Sequence, residues 1–340
     1  MFSSLVPENP GQSKVQIQAH RIFLFYPRRI GDWVVLTPFL RSLRWKFPKA
    51  EITAVASFRS AAVMPLISFC DRFRILGRPQ DIGQNLRLLS FLLTAKPWDL
   101  LIDLDPNPAF SRTGWVACRL ARARARMSFA RPKTGSFEYL VSPPITNEPM
   151  LSRYGRMAEF LGAPYDPHPA LFVPQSEIES AEREMNSPGF SARPRILIHP
   201  GDLKREQGIR WPRENFITLG KRLKTLGMNL FFLAGPGEKE SVISLANEIG
   251  LDSRVVIGPR PLIEAAAFMR QADLFVSSLN GTSHVAAAVG VPTFSFYTGY
   301  DWQVWRIPGE KHTGLVGDWT DCRSISIDQA HDSIMSRVKR

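Results

Sequence analysis

The residue types of an anion-binding site occur together near the carboxyl end of the chain. Residues 274–276 are apolar, and the polar residues after them lead to Gly281 and an Ala-rich run that stops at Gly290. This order predicts a strand, a loop and a short helix that Thr282 or Ser283 caps. The unpaired N–H groups at the start of that helix would face the end of the preceding strand, where phosphate groups commonly bind.

His284 lies in the first turn of this predicted helix. The positive end of the helix dipole disfavours an imidazolium, so a neutral ring that donates a hydrogen bond is expected. Such a ring could hold a diphosphate, and it could equally cap the helix or be a buried structural histidine. The spacing alone does not choose between these roles.

A second polar group follows the first predicted strand. Residues 22–26 are an apolar run typical of a strand in a parallel sheet, and Arg28, Arg29 and Asp32 come soon after it. An amphipathic helix is predicted from there to residue 47. Asp32 could cap this helix, and the two arginines are expected to keep its carboxylate ionised rather than raise its pKa.

Two further features of the first half could bind a ligand. Asp103 lies near the carboxyl end of a predicted strand, where open α/β sheets place their ligands, and it could instead cap the loop or pair with a nearby arginine. Residues 111–136 include no acid, and on a helix Arg119, Arg122 and Arg126 would share one face. That face could meet the phosphates of an acidic acceptor or of lipid headgroups, or it could be solvated.

The chain has 340 residues, a net charge of +12 and a pI of about 10.0. The charge predicts an anionic partner, such as a nucleotide, a phosphorylated glycolipid or a membrane surface. Nucleic acid is not expected, because the arginines lack interleaved aromatic residues and no nucleic-acid-binding module is recognisable.

Targeting and redox signals predict a cytoplasmic chain. The three cysteines are far apart and in no metal-ligand spacing, which fits a reducing compartment and predicts neither a disulfide nor a zinc site. The first residues lack the basic start and apolar core of a signal peptide. No apolar stretch approaches the roughly 20 residues that span a bilayer, so membrane contact would be peripheral.

Strand and helix patterns alternate separately in both halves of the chain. This alternation predicts an α/β fold with two doubly wound parallel sheets, in two Rossmann-like domains. The predicted parts are an amino-terminal arm (1–19), a first domain (20–163), a Pro-rich linker (164–176), a second domain (177–325) and a carboxyl-terminal helix (326–340).

Taken together, these segments resemble glycosyltransferase family 9, the heptosyltransferase-like enzymes. The likeness covers about residues 21–309, and it implies the GT-B architecture, in which two Rossmann-like domains face a central cleft. The matching residues are Arg29, Ile30, Gly31, Asp32, Pro38, His199, Pro200, Gly201, Trp211, Pro212, Gly235, Gly237, Glu238, Gly281, His284, Ala286, Ala287, Ala288, Gly290 and Pro292.

The resemblance implies inverting transfer of a sugar from a nucleotide-diphosphate donor, with ADP-heptose as one candidate, and with neither metal nor cofactor. Asp32 would take the proton of the acceptor hydroxyl. The acceptor side would include Arg28, Arg29 and Asp103. The donor and its diphosphate would be bound by Gly201, Lys204, Arg210, Glu238, Gly281, Thr282, Ser283 and His284. The acceptor would be a lipopolysaccharide core or a related anionic glycolipid or oligosaccharide, at the inner face of the cytoplasmic membrane.

Three positions depart from the family pattern. Leu279 stands where the family has Asp, Asn280 where it has Thr, and Ile209 where it has Lys. An apolar residue at 279 implies a different donor sugar, a different binding pose or loss of activity, whereas Arg210 or Lys204 could supply the missing cation. Two rival functions stay open: a non-catalytic nucleotide-sugar-binding protein and a GT-B sugar-nucleotide epimerase.

Overall fold

The computed structural model describes residues 17–105, 112–130, 137–187, 192–201 and 209–338. Within these ranges the chain forms two six-stranded sheets, and the paired strands in both are parallel. One sheet belongs to the first half of the chain and the other to the second half. The prediction of two parallel sheets is therefore confirmed.

The first sheet has the strands β1 (Arg21–Phe25), β2 (Glu51–Ser57), β3 (Arg72–Leu76), β4 (Trp98–Asp103), β5 (Ala123–Phe129) and β6 (Tyr139–Val141). The helices with it are α1 (Ile30–Lys46), α2 (Ile82–Thr94), α3 (Arg112–Leu120) and α4 (Met150–Phe160), and a 3₁₀ helix covers Ala61–Leu66. The strand order is β3-β2-β1-β4-β5-β6.

The second sheet has the strands β7 (Arg195–His199), β8 (Asn229–Leu233), β9 (Val256–Ile257), β10 (Leu274–Ser278), β11 (Thr293–Tyr297) and β12 (His312–Val316). Its helices are α5 (Gln175–Met185), α6 (Arg213–Thr225), α7 (Lys239–Ile249), α8 (Leu262–Met269), α9 (Gly281–Ala288), α10 (Gly299–Trp305) and α11 (Ile327–Val338). The strand order is β12-β11-β10-β7-β8-β9.

Both sheets share one doubly wound order. The strand order reverses between β1 and β4 in the first sheet and between β7 and β10 in the second. Open sheets of this kind bind ligands at the carboxyl ends of the strands beside such a reversal. The fold thus places the residues after β1 and β10 where a ligand is expected.

The strands form where the chain is apolar on both faces, as in a parallel sheet covered by helices. Every residue of β7, β10 and β11 is buried. In β1, Ile22 and Leu24 pack in the core with α1 and α4, whereas Phe23 and Phe25 pack with α2 and α3. The helices of the first domain therefore cover both faces of its sheet.

The two domains meet along α1 and α9. A Cβ atom on Gly31 would lie 3.2 Å from the Cα atom of Gly281, so glycine allows this close approach of two backbones. The largest buried cluster continues through both domains and includes Leu40 of α1 and Val285 of α9. Consequently, the first turns of two helices from different domains lie side by side.

The predicted linker contacts both domains. The Leu171 N–H donates to the carbonyl of Ala288 at 3.0 Å, and the Phe172 N–H donates to that of Leu66 at 2.8 Å. In the described part of the chain, no helix combines the length and the apolar character that crossing a bilayer requires. The domain limits stay a prediction.

The predicted arginine face on one helix is wrong. Helix α3 ends at Leu120, and Arg126 lies in β5, where its N–H donates to Glu138 Oε2 at 2.7 Å. The alternating pattern of residues 123–129 matches the period of a strand, and it buries Met127 and Phe129. Arg119, Arg122 and Arg126 therefore do not share a helix face.

Candidate active site

The carboxyl ends of β1 and β10 lie on opposite sides of one cleft of about 700 Å³. The first domain lines it with Arg29, Ile30, Gly31, Asp32 and Arg59. The second domain lines it with Glu238, Leu279, Asn280, Gly281, His284, Asp301 and Trp305. The structure thus brings together Asp32 and His284, which the sequence separates by about 250 residues.

Asp32 lies in the first turn of α1 and accepts a hydrogen bond from the Arg29 N–H at 3.2 Å. The expectation that the arginines hold its pKa down is wrong. Burial raises the pKa of the Asp32 carboxyl, and the charges of Arg28 and Arg29 only partly offset that effect. A carboxylate with a raised pKa is a stronger base, so the position and the chemistry of Asp32 agree.

Arg28 and Asp103 are not among the residues that line the cleft. Arg28 forms an ion pair with Asp105, and Asp103 is buried at the end of β4, where its Oδ1 accepts the Asp105 N–H at 3.1 Å. These contacts fix the loop after β4 against the loop after β1. Of the predicted acceptor-side residues, Arg29 faces the cleft, and Arg59 lies there as well, although the sequence argument did not select it.

Asn280, and not Thr282 or Ser283, caps α9. Its Oδ1 accepts the N–H groups of Thr282 at 2.8 Å and Ser283 at 3.2 Å, and Ser283 Oγ accepts the Asn280 N–H at 3.1 Å. The prediction that Thr282 or Ser283 caps this helix is wrong because the chain is extended at Asn280 and turns into the helix only after it. Two of the backbone N–H groups predicted to bind an anion, those of Thr282 and Ser283, are therefore already hydrogen-bonded to the Asn280 side chain.

His284 is buried, and its ring lies edge-on to Trp305 with 6.4 Å between ring centroids. Burial lowers the pKa of His284 to about 4, so the ring is neutral at physiological pH. Among the residues described, none forms a hydrogen bond with this ring. A neutral imidazole that lines the cleft can donate one N–H to a ligand.

His199 links three residues of the donor side, a role that the sequence argument missed. Its Nε2 lies 3.1 Å from Glu238 Oε2, and its Nδ1 lies 2.7 Å from Thr282 Oγ1 and 3.2 Å from Asn280 Nδ2. Its place at the end of β7, beside the reversal of strand order, was the signal that could have identified it.

Glu238 is held on its own domain. Its Oε2 also accepts the Gly235 N–H at 2.7 Å. Burial is the largest effect on the pKa of Glu238 and raises it, but the interactions with His199, the Gly235 N–H and Arg210 together outweigh burial, so the net pKa is lowered and the side chain is a carboxylate. A fixed carboxylate in the cleft can accept hydrogen bonds from ligand hydroxyl groups.

Of the two cations predicted near β7, the structure describes Arg210, and it does not line the cleft. Arg210 Nη1 donates to the carbonyl of Leu279 at 2.7 Å, and its side chain passes beside Gly201 without lining the cleft. Lys204 lies outside the described residues. Arg210 therefore stabilises the loop before α9 through the Leu279 carbonyl, outside the cleft.

Leu279 lies in an apolar setting. It is buried in a small cluster with Ala287, Tyr297 and Ile307, and its side chain also borders the cleft. Where the family pattern has a carboxylate, this cleft has an apolar wall.

Two Rossmann-like domains that face a cleft make up the GT-B architecture. Residues 94–327 match the family model for glycosyltransferase family 9 (heptosyltransferase). Because this match covers more than half of the chain, the chain belongs to that family. It is a glycosyltransferase, as the sequence resemblance predicted.

The chain is also similar to one curated protein and to solved structures. A Haemophilus influenzae protein named as a glycosyltransferase is 24% identical over 294 residues, which are 82% of this chain and 82% of that protein. The structure of a family 9 glycosyl transferase from Veillonella parvula is similar with a TM-score of 0.79 and 19% identity, over 95% of this chain and 98% of that one. The structure of the E. coli ADP-heptose LPS heptosyltransferase II is similar with a TM-score of 0.73 and 18% identity, over 94% of this chain and 98% of that one.

Proposed function

We propose that this protein transfers a sugar, with inversion, from a nucleotide-diphosphate donor to an anionic glycolipid or oligosaccharide acceptor of surface-glycan assembly. The proposal includes a reaction that needs no metal and no cofactor. Its main support is that Asp32 of α1 and His284 of α9 line one cleft although they belong to different domains. Glycosyl transfer needs a base for the acceptor and donors of hydrogen bonds for the leaving group, on different sides of one carbon atom.

In this reaction Asp32 takes the proton from the acceptor hydroxyl. The oxygen of that hydroxyl bonds at the same time to the anomeric carbon of the donor. The bond between that carbon and the diphosphate breaks, and the nucleoside diphosphate leaves as an anion. Attack from the face opposite the diphosphate inverts the anomeric centre. The neutral His284 ring and the positive start of α9 would stabilise the charge that develops on the leaving group.

The acceptor would enter from the side of the first domain. Arg29 and Arg59 are both exposed and line the cleft there, so they can meet phosphate or carboxylate groups of an anionic acceptor. A lipid-linked acceptor would place the enzyme at the inner face of the cytoplasmic membrane.

The donor would lie against the second domain. Glu238, which lines the cleft, would accept hydrogen bonds from the nucleoside, and ADP-heptose is the first donor to test because the similar E. coli enzyme is named for it. The wall at Leu279 favours a sugar that presents fewer hydroxyl groups at that point, because a hydroxyl buried there would lack a partner.

A donor screen combined with one substitution tests the proposal. Thermal shift with ADP-, UDP-, GDP- and CMP-linked sugars identifies the donor. The Asp32→Asn variant should bind that donor with unchanged affinity and transfer its sugar about a thousandfold more slowly. Asp81→Asn is the matched control, because Asp81 also accepts an N–H three residues earlier, at 2.8 Å, but lies outside the cleft.

Several outcomes would contradict the proposal. Unchanged transfer by the Asp32→Asn variant would show that Asp32 is not the base. A protein that binds a nucleotide sugar but transfers it to no acceptor would support the binding-protein alternative. Activity that EDTA abolishes and a divalent ion restores would contradict the metal-independent part.

A further inference from the structure

Helix α2 carries an apolar stripe on its outer side. Ile82, Leu86, Leu89 and Leu93 are 66%, 58%, 38% and 51% exposed, and their spacing of four, three and four residues aligns them along one side of the helix. A different side of the helix packs on the sheet through Leu88 and Leu92. These four residues, the α2 stripe, are therefore not needed to hold the helix in place.

The surroundings of the α2 stripe are positively charged. Residues 72–98 contain five basic residues and one acid, Asp81. Arg74 and Arg87 line a groove of about 500 Å³ between β3 and α2. On the neighbouring α3, Val116 and Arg119 are exposed too, so the mixture of apolar and basic side chains continues there.

An apolar stripe with basic margins matches the surface of an anionic bilayer. Leucine and isoleucine can enter the boundary between headgroups and acyl chains, while arginine and lysine stay with the phosphates. A second copy of the chain is a poorer match, because a two-fold contact through this patch would bring its arginines against one another.

We propose that the α2 stripe and its basic margin dock the protein on an anionic phospholipid surface. This proposal rests on the proposed function, in which the acceptor is a glycolipid. It replaces the lipid contact predicted for Arg119, Arg122 and Arg126 on a single helix face.

The start of α2 is close to the entrance of the cleft. The guanidinium of Arg78, just before α2, lies 5.3 Å from the centre of the Phe58 ring, and that of Arg59 lies 5.4 Å from the same ring. Arg59 itself lines the cleft. A docked α2 would therefore hold the acceptor side of the cleft near the headgroups, where a lipid-linked sugar is presented.

Vesicle sedimentation of the full-length chain tests this surface. The chain should bind vesicles of phosphatidylglycerol and phosphatidylethanolamine, bind them less in high salt, and bind phosphatidylcholine vesicles poorly. Leu86→Gln with Leu93→Gln should weaken binding to the anionic vesicles by at least about tenfold. Ile145→Gln with Leu226→Gln is the matched control, at positions 65% and 50% exposed, and should bind like the unmodified protein.

Two further measurements separate this proposal from the others. The stripe variant should keep the thermal shift with the donor, which shows that it is folded and that donor binding does not depend on the membrane. Equal vesicle binding by the stripe variant, or no binding by the unmodified chain, would overturn the docking surface. A dimer in analytical ultracentrifugation that the stripe substitutions dissociate would make the stripe a contact between copies and would also overturn it.

Discussion

The two sides of the cleft share one topology and use it differently. On the first side, the polar groups at the strand ends pair with one another, as Arg28 does with Asp105, and Asp32 is left at the cleft. On the second side, His199 joins Glu238, Asn280 and Thr282 into one hydrogen-bonded group beside His284. The first side thus offers one carboxylate beside the exposed Arg29 and Arg59, and the second offers a fixed surface of donors and acceptors.

The key groups on the two sides nevertheless share one electrostatic cause. Burial raises the pKa of Asp32 and lowers that of His284 to about 4, so both side chains are shifted toward their uncharged forms. Removal of water from around the buried carboxyl outweighs the neighbouring charges at Asp32. A base and a neutral hydrogen-bond donor can therefore arise from the same physical effect.

On the second side, the largest effect is expected at His284. His284→Ala removes a neutral N–H donor from the leaving-group side and should lower kcat about 100- to 1000-fold with a smaller change in donor KM. His284→Gln, which retains an N–H donor, should recover part of the rate. Steady-state kinetics with saturating acceptor measure both, and an unchanged kcat would make the second side a binding surface only.

Gly31→Ala tests how closely the two sides must approach. The new methyl group would lie 3.2 Å from Gly281 Cα, and the free energy of unfolding should fall by about 1–3 kcal/mol. Gly83→Ala is the control, because a Cβ atom there has no neighbour within 4 Å. Urea unfolding compares the two variants. Equal stabilities would show that the contact between α1 and α9 is not tight.

His199→Ala removes the centre of the hydrogen-bonded group on the second side. Donor affinity should weaken about tenfold, because Glu238 and Thr282 lose a partner, while the rate at saturating donor changes less. His331→Ala serves as the control, since His331 pairs with Asp332 on α11. A fall in kcat with unchanged affinity would assign His199 to the chemical step instead.

The smallest effect concerns stability at the first side. Because the folded-state pKa of Asp32 is raised, its protonated form stabilises the fold below the ordinary carboxyl pKa, and this contribution is lost as pH rises through the raised value. Asp32→Asn should therefore melt at a higher temperature than the unmodified protein at neutral pH, and the difference should shrink in acid. Transfer activity should also decline as pH falls through the raised pKa, because Asp32 is then protonated and cannot act as the base. Calorimetry and pH–rate profiles check these directions, and a variant less stable at neutral pH would contradict them.

Local patterns predicted much of the fold because they depend on neighbouring residues only. The apolar run at 22–26 gave β1, and the Ala-rich run before Gly290 gave α9. The alternating strands and helices then gave two doubly wound sheets, which put Asp32 and His284 at strand ends. The prediction of a helix face through Arg126 is wrong because it rests on the spacing of charges, whereas residues 123–129 have a period of two, which fits a strand.

What the sequence determined by itself is the family, the order of elements and the residues that can do chemistry, because these follow from residue type and spacing. Only the tertiary structure decided that Asn280 caps α9, because several adjacent polar residues can cap and the local backbone selects one. It also decided the pKa of Asp32, since burial in the folded chain removes the water around that carboxyl. The α2 stripe has the same origin: α2 is apolar on two sides, and only packing shows which side is left outside.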